Sequence, residues 1–264
     1  MATKIERIEA FQKERLGKVQ YLLYQFEVDI ILITDHRIRH WIGKPEVKYV
    51  LVTSDGIDVC EDLIQYLGNK SITVGVDGYL TASDFLELEE KLSNIKWISV
   101  ARKLSDLMAV KDRLEILMLR KSAEITHAVF REIEQNLTPN RSELDLLYTA
   151  YKTMATSGGN GFSFEPSIGS GPRSTLIYAG VETRKLVAGD PLVVDLGVSF
   201  RGYQSDMTCS YLIEDIDNQI WKNAYLALKE VMETIKDNLR PGVTGGKLHE
   251  ICTNALQQLG YLVS

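Results

Sequence analysis

The chain has 264 residues, 45% of them hydrophobic and 25% charged, and a net charge of −6. That balance belongs to a globular protein long enough for one large domain or two smaller ones, and the acidic charge argues against nucleic acid as a dominant partner, since phosphate binding needs a basic face. Three cysteines, Cys60, Cys209 and Cys252, are too few and too scattered for a disulfide framework or a CxxC metal site, so a reducing, cytoplasmic compartment is the default expectation.

The opening MATKIERIEAFQKERLGKV has no apolar core and is not a signal peptide, and the longest apolar run, around 29–34, is far too short to cross a membrane. Residues 4–27 carry Ile5, Ile8, Phe11, Leu16, Val19, Leu22 and Leu23 near helical spacing, which predicts an amphipathic helix. Short strands are expected at 30–34, 48–53, 71–76 and 97–100, with a turn at Ser54-Asp55-Gly56 and a helix over 82–92 capped by Thr81 or Ser83. Alternating strands and helices predict an α/β domain over 1–107. A second domain, 108–264, begins with a long helix over 111–137 that has Leu114, Leu117, Ala123, Val129, Phe130 and Ile133 on one side and Pro139 beyond its end. A helix over 142–156 capped by Ser142 follows, then loops at 157–161 and 169–172, strands at 192–200 and 203–212, and helices at 221–238 and 245–260. The order is helix, helix, hairpin, helix, helix. The stretch 261–264 reads as the start of a further strand, and the expectation is a chain that continues.

The segment VVDLGVSFRGYQSDMTCSY, 193–211, carries the chemistry. A turn centred on Arg201-Gly202 pairs Phe200 with Tyr203, Gly197 with Asp206 and Asp195 with Thr208. Asp195, Gly197, Asp206 and Thr208 then share one face. The two aspartates stand diagonally, with Cα atoms roughly 7–8 Å apart, and Gly197 is expected to leave the space beside Asp206 open. Aspartate suits strands poorly, and two carboxylates on a partly buried face repel. A divalent cation would relieve both problems; a solvated face bearing ordinary surface aspartates is the alternative. His36 and His40 have helical i,i+4 spacing beside Asp35, a weak metal pattern, while His127 and His249 read as helix-face residues. Cys209 alternates away from Asp206 and reads as core.

FEPSIGSGPRSTLIYAGVETRKLVAGDPLVVDLGVSFRGYQSDMTCSYL resembles the core of the pita-bread metallohydrolases: prolidase, aminopeptidase P, methionine aminopeptidase and creatinase. The marks are the Asp-x-Gly strand, the Gly-Tyr turn and Ser-Asp-Met-Thr, with Asp206 eleven residues after Asp195. VKDRLEILMLRKSAEITHAVF resembles the family's first catalytic-domain helix, and DIILITDHRIRHWIG with KYVLVTSDG resembles the creatinase-type N-terminal domain. The resemblance implies a creatinase-like α/β N-terminal domain plus the first half of an α+β pita-bread domain, its second half absent. It implies a metallopeptidase that cleaves peptide bonds before proline by a hydroxide activated between two metals, Mn²⁺ first and Co²⁺ or Zn²⁺ next. Asp195 would chelate one metal and Asp206 bridge both; a His and two Glu would lie beyond Ser264. Where the family has a substrate-facing His, this chain has Tyr178, which can donate a hydrogen bond but cannot replace an imidazolium. The partners implied are a proline-containing peptide and, in the complete protein, a second copy, with no nucleic acid or membrane. Two other readings fit the same residues: a non-catalytic pita-bread peptide- or protein-binding module or inactive remnant, and a creatinase-like C–N hydrolase.

Overall fold

The computed structural model describes residues 4–214 and 219–261; the strand start expected at 262–264 and the side chain of Ile5 lie outside the described residues. The chain divides into two compact units, Met1–Ser122 with Ser199–Gln204, and Ala123–Val198 with Ser205–Ser264.

The first unit runs α1 (Lys4–Phe26), β1 (Ile30–Ile33), α2 (His36–Trp41), β2 (Tyr49–Val52), β3 (Ile57–Cys60), α3 (Leu63–Leu67), β4 (Thr73–Val76), α4 (Ala82–Lys91), β5 (Lys96–Ser99) and α5 (Ala101–Ala109), and then enters α6 (Arg113–Glu134). Its five strands form one sheet in the order β3-β2-β1-β4-β5. The β1–β4 and β4–β5 pairs are parallel, and β2 and β3 complete an antiparallel side. All of β1 is buried, because its alternating side chains serve two layers. Ile31 and Ile33 join Val19, Leu22, Val100 and Leu104, whereas Ile30 and Leu32 join Leu63, Leu67, Leu88 and Leu92. The result is helices on both faces of a sheet. Strand β3 escaped the sequence reading because it lies at the sheet edge and its middle residues, Asp58 and Val59, are exposed.

Among the described residues of this unit Asp35, Asp77 and Glu115 are buried, and the first two order the turn after β1. Asp77 accepts from the backbone N–H of Thr34 and of Asp35, each at 2.6 Å, and from the Thr34 hydroxyl at 2.8 Å. It thereby ties the end of β4 to the turn after β1. Asp35 in turn caps α2 and pairs with Arg37. Burial opposes the charge on Asp35, but the Arg37 side chain and backbone N–H outweigh it and hold the carboxyl below its usual range.

The second unit takes up α6 and continues with α7 (Glu143–Thr156), β6 (Gly161–Phe162), β7 (Ser167–Ser170), a 3-10 turn (Gly171–Thr175), β8 (Pro191–Leu196), β9 (Val198–Phe200), β10 (Tyr203–Gln204), β11 (Met207–Leu212), α8 (Gln219–Asn238) and α9 (Gly245–Gln258). Strands β11-β8-β7 form an antiparallel sheet with β8 in the middle. This corrects the expected lone hairpin. Gly169 and Ser170 end strand β7 instead of lying in a loop, and the two expected long strands are each broken in two. Along α6 the predicted stripe is buried at Val129, Phe130 and Ile133, but Leu117 is 52% exposed. Among the described residues no helix is long and apolar enough to cross a membrane.

Asp77→Ala should strand two backbone donors in the interior and lower stability by about 2–3 kcal/mol. Urea unfolding followed by circular dichroism checks this, with Asp77→Asn expected to lose less.

Candidate metal centre and its neighbouring loop

The turn that joins β9 to β10 has φ of 49° at Arg201 and 78° at Gly202. Two consecutive positive φ values characterise the two-residue turns whose twist matches a hairpin. Phe200 pairs with Tyr203 across it, and the same register continues to Met207–Leu196 and Thr208–Asp195. The centre of the turn and the pairing agree with the sequence reading.

Between the two stretches the ladder breaks, and Gly197 does something other than expected. A Cβ there would lie 1.8 Å from the Ser205 carbonyl oxygen. The space is therefore filled by backbone and is not left open beside Asp206. The Ser205 hydroxyl sits 2.6 Å from the Thr126 hydroxyl of α6 and 3.1 Å from the Val198 carbonyl oxygen. The Val198 N–H donates to both hydroxyls. This polar knot holds the kink that immediately precedes Asp206.

Asp195 stands on the central strand. Leu192, Val194 and Leu196 are fully buried on one face of β8, while Val193 and Asp195 are half-buried on the other. Asp195 is flanked by Thr208 on β11 and by Ser167 on β7. Its Oδ1 is buried and has no hydrogen-bond partner. A buried carboxylate oxygen left unpaired is costly, and a water or a cation can supply the missing partner. Oxygen donors of this kind fit a hard or borderline divalent cation. Asp206 is exposed and follows the kink, two residues before Thr208. Among the described residues no group of three His, Cys, Asp or Glu side chains gathers around a common point. His36 and His40 do not converge: His36 meets the Tyr79 ring and His40 the Tyr203 ring. His127 and His249 are exposed on their helices. Cys209 is partly buried, and burial pushes its thiol up.

Tyr178 is 92% exposed in the turn after the 3-10 segment. It does not pack against the body of the unit, but the backbone beside it is tightly held. The Ala179 N–H donates to the Ser167 hydroxyl at 3.1 Å, and the Ile168 N–H to the Gly180 carbonyl at 2.9 Å. Arg173 donates to the Ala179 carbonyl at 2.6 Å. Through Ser167, the turn bearing Tyr178 is anchored to the residue paired with Asp195.

Behind that turn lies a buried network that sequence reasoning missed. Glu143, with no exposed surface, accepts from the Ser170 N–H at 2.9 Å, the Ser170 hydroxyl at 2.7 Å, the Glu182 N–H at 2.9 Å and the Arg173 guanidinium at 3.3 Å. Arg184 bridges Ser170 to Asp190, and Asp190 raises the affinity of that guanidinium for its proton. The first free N–H groups of α7 are used as well, Glu143 donating to the Arg184 carbonyl and Leu144 to that of Glu182. A glutamate in the first turn of a helix looks like an ordinary dipole partner, so nothing in its spacing announced this role.

Gly197→Ala should force the Ser205 strand away and lower stability by about 1–3 kcal/mol, read by denaturant unfolding. Glu143→Ala leaves Arg173 without its buried partner and should cost about 3 kcal/mol or more; limited proteolysis should then cut first within 171–190.

The chain matches the model of metallopeptidase family M24 over residues 118–263, more than half its length. It is similar to the Xaa-Pro dipeptidase of Pyrococcus furiosus, 25% identical over 85% of this chain and 63% of that protein. A probable dipeptidase PepE of Mycobacterium tuberculosis is 28% identical over 78% of this chain and 54% of its own. The chain thus spans roughly three fifths of the length of such relatives. Among solved structures, the prolidase of Pyrococcus horikoshii superposes with a TM-score of 0.84 at 21% identity, covering 94% of this chain and 78% of the other. The X-Pro aminopeptidase of Thermotoga maritima gives 0.84 at 19% identity, covering 93% and 78%. The fold is the creatinase-like α/β arrangement joined to pita-bread elements, and the chain belongs to metallopeptidase family M24.

Proposed function

We propose that the protein is an Xaa-Pro peptidase, of the dipeptidase or aminopeptidase P type, hydrolysing the bond before proline. Family membership and the names of the relatives support this reading. The observation that carries it is the buried, unpartnered Asp195 Oδ1 on a strand in register with the segment bearing Asp206. Asp195 would hold one divalent ion and Asp206 would bridge to a second, with Mn²⁺ the first choice and Co²⁺ or Zn²⁺ next. Bound ions would supply a water of lowered pKa and polarise the scissile carbonyl.

The remaining contributions come from the chain itself. The kink at Gly197 and Ser205 sets the backbone from which Asp206 projects. The Glu143–Arg173 network holds the 171–190 segment, and Tyr178, at its tip and open to solvent, can donate its phenolic proton to a peptide carbonyl. The same reading carries domain limits of 1–107 and 108–264, a homodimer in the complete protein and a cytoplasmic location; the three free cysteines support the last.

The second reading, a metal-independent peptide-binding module, draws on the absence of a third gathered ligand among the described residues. One experiment separates them. Isothermal titration of Mn²⁺ into the purified protein should show saturable binding that Asp206→Asn weakens at least roughly tenfold. Hydrolysis of a dipeptide ending in proline should fall with it. Proline-peptide binding that is unchanged by chelator and by Asp206→Asn would overturn the peptidase reading in favour of the binding module.

A further inference from the structure

A cleft of about 1080 Å³ opens within the first unit. That is slightly above the roughly 300–1,000 Å³ of small-ligand sites. Ile8, Phe11, Gln12 and Arg15 reach it from α1, at helical spacing that puts them on one stripe. Leu114, Leu117 and Met118 reach it from the first turns of α6. Further lining comes from α2 and from the β9–β10 turn, as His40, Arg201 and Tyr203.

The lining is of two chemical kinds. Ile8, Phe11, Leu114, Leu117 and Met118 are the large apolar side chains of the lining, and Leu117 is 52% exposed. The polar lining is Gln12, Arg15, His40, Arg113, Arg201 and Tyr203, every one able to donate a hydrogen bond. No carboxylate lines the cleft, in a chain whose net charge is −6. Arg15 is engaged with Asp112 at 2.7 Å and Arg201 lies over the Phe200 ring. Arg113 is exposed and opens α6, where the helix dipole adds to its positive charge. His40, which also lines the cleft, packs closely on Gly202, where a Cβ would lie 2.8 Å from the His40 Nε2.

We propose that this cleft binds a small organic carboxylate with an apolar body. The hydrocarbon rests on Ile8, Phe11, Leu114, Leu117 and Met118, and the carboxylate faces Arg113 and His40. Arginine suits a carboxylate because its planar fork can donate twice. A cation of the same shape meets positive charge and hydrogen-bond donors. Neither Asp195 nor Asp206 lines the cleft, so this inference stands or falls independently of the peptidase reading.

The test titrates the full chain, in chelator to exclude metal coordination, with decanoate and with decylamine. Saturable 1:1 binding of decanoate is expected, with decylamine weaker by at least roughly tenfold. Arg113→Glu, a change at an exposed side chain, should weaken decanoate by a similar factor and leave the thermal unfolding midpoint in place. Asp206→Asn should bind decanoate like the parent protein. Equal binding of the two amphiphiles, no saturation with decanoate, or an Arg113→Glu protein that binds as well as the parent would each overturn the proposal.

Discussion

Two successive left-handed residues, Arg201 and Gly202, set where the acidic chemistry of this protein stands. Strand side chains alternate with a period of two, so a slip of one residue in the pairing would carry Asp195 to the opposite face of the sheet. The turn forbids that slip by fixing Phe200 against Tyr203, and the register runs on to Asp195 against Thr208. Glycine at 197 is the second half of the same constraint, because the Ser205 carbonyl occupies the place of its missing side chain. Thr126 then locks Ser205 and Val198 through hydroxyl hydrogen bonds, so a helix residue far away in sequence sets the kink before Asp206.

The buried carboxylates divide by how their oxygens are used. Glu143 and Asp77 are surrounded by backbone and side-chain donors, and each fastens one segment to another. Asp195, on the central strand of its sheet, leaves Oδ1 buried and unmatched. Protein interiors rarely leave a polar atom in that condition, because its lost hydration is not returned. The contrast separates carboxylates whose oxygens are used within the chain from one that has an oxygen left over. It also explains why the 171–190 segment can present an exposed Tyr178 and yet be firmly seated. The cost of ordering the segment is offset by Glu143, Arg173 and Arg184 behind it.

In the first unit the physical logic is that of layers. Strand β1 is buried on both faces and feeds two separate clusters of apolar side chains. Its helices α1 and α6 nevertheless leave an apolar stripe open to the cleft, bordered by arginines and a histidine. A lining of large apolar side chains and hydrogen-bond donors is a binding surface in its own right, with a chemistry opposite to that of the aspartate pair.

Much was legible in the amino-acid sequence because it depends on neighbours along the chain. Periodicity marked the long helices, Ser142 announced one cap and Thr81 was one of two candidates for another, and the Arg-Gly turn with the Asp195–Asp206 spacing set the hairpin register. Strands β3 and β7 were not legible, since one is an exposed edge and the other is short and glycine-bearing, and both exist because a neighbouring strand offers hydrogen bonds. Tertiary structure alone decided that Gly197 is filled by backbone, that Leu117 stays open, that Glu143 gathers donors from Ser170, Arg173 and Glu182, and that Asp195 Oδ1 has none. Each of these turns on which atoms distant in sequence come within contact, and local pattern carries no information about that.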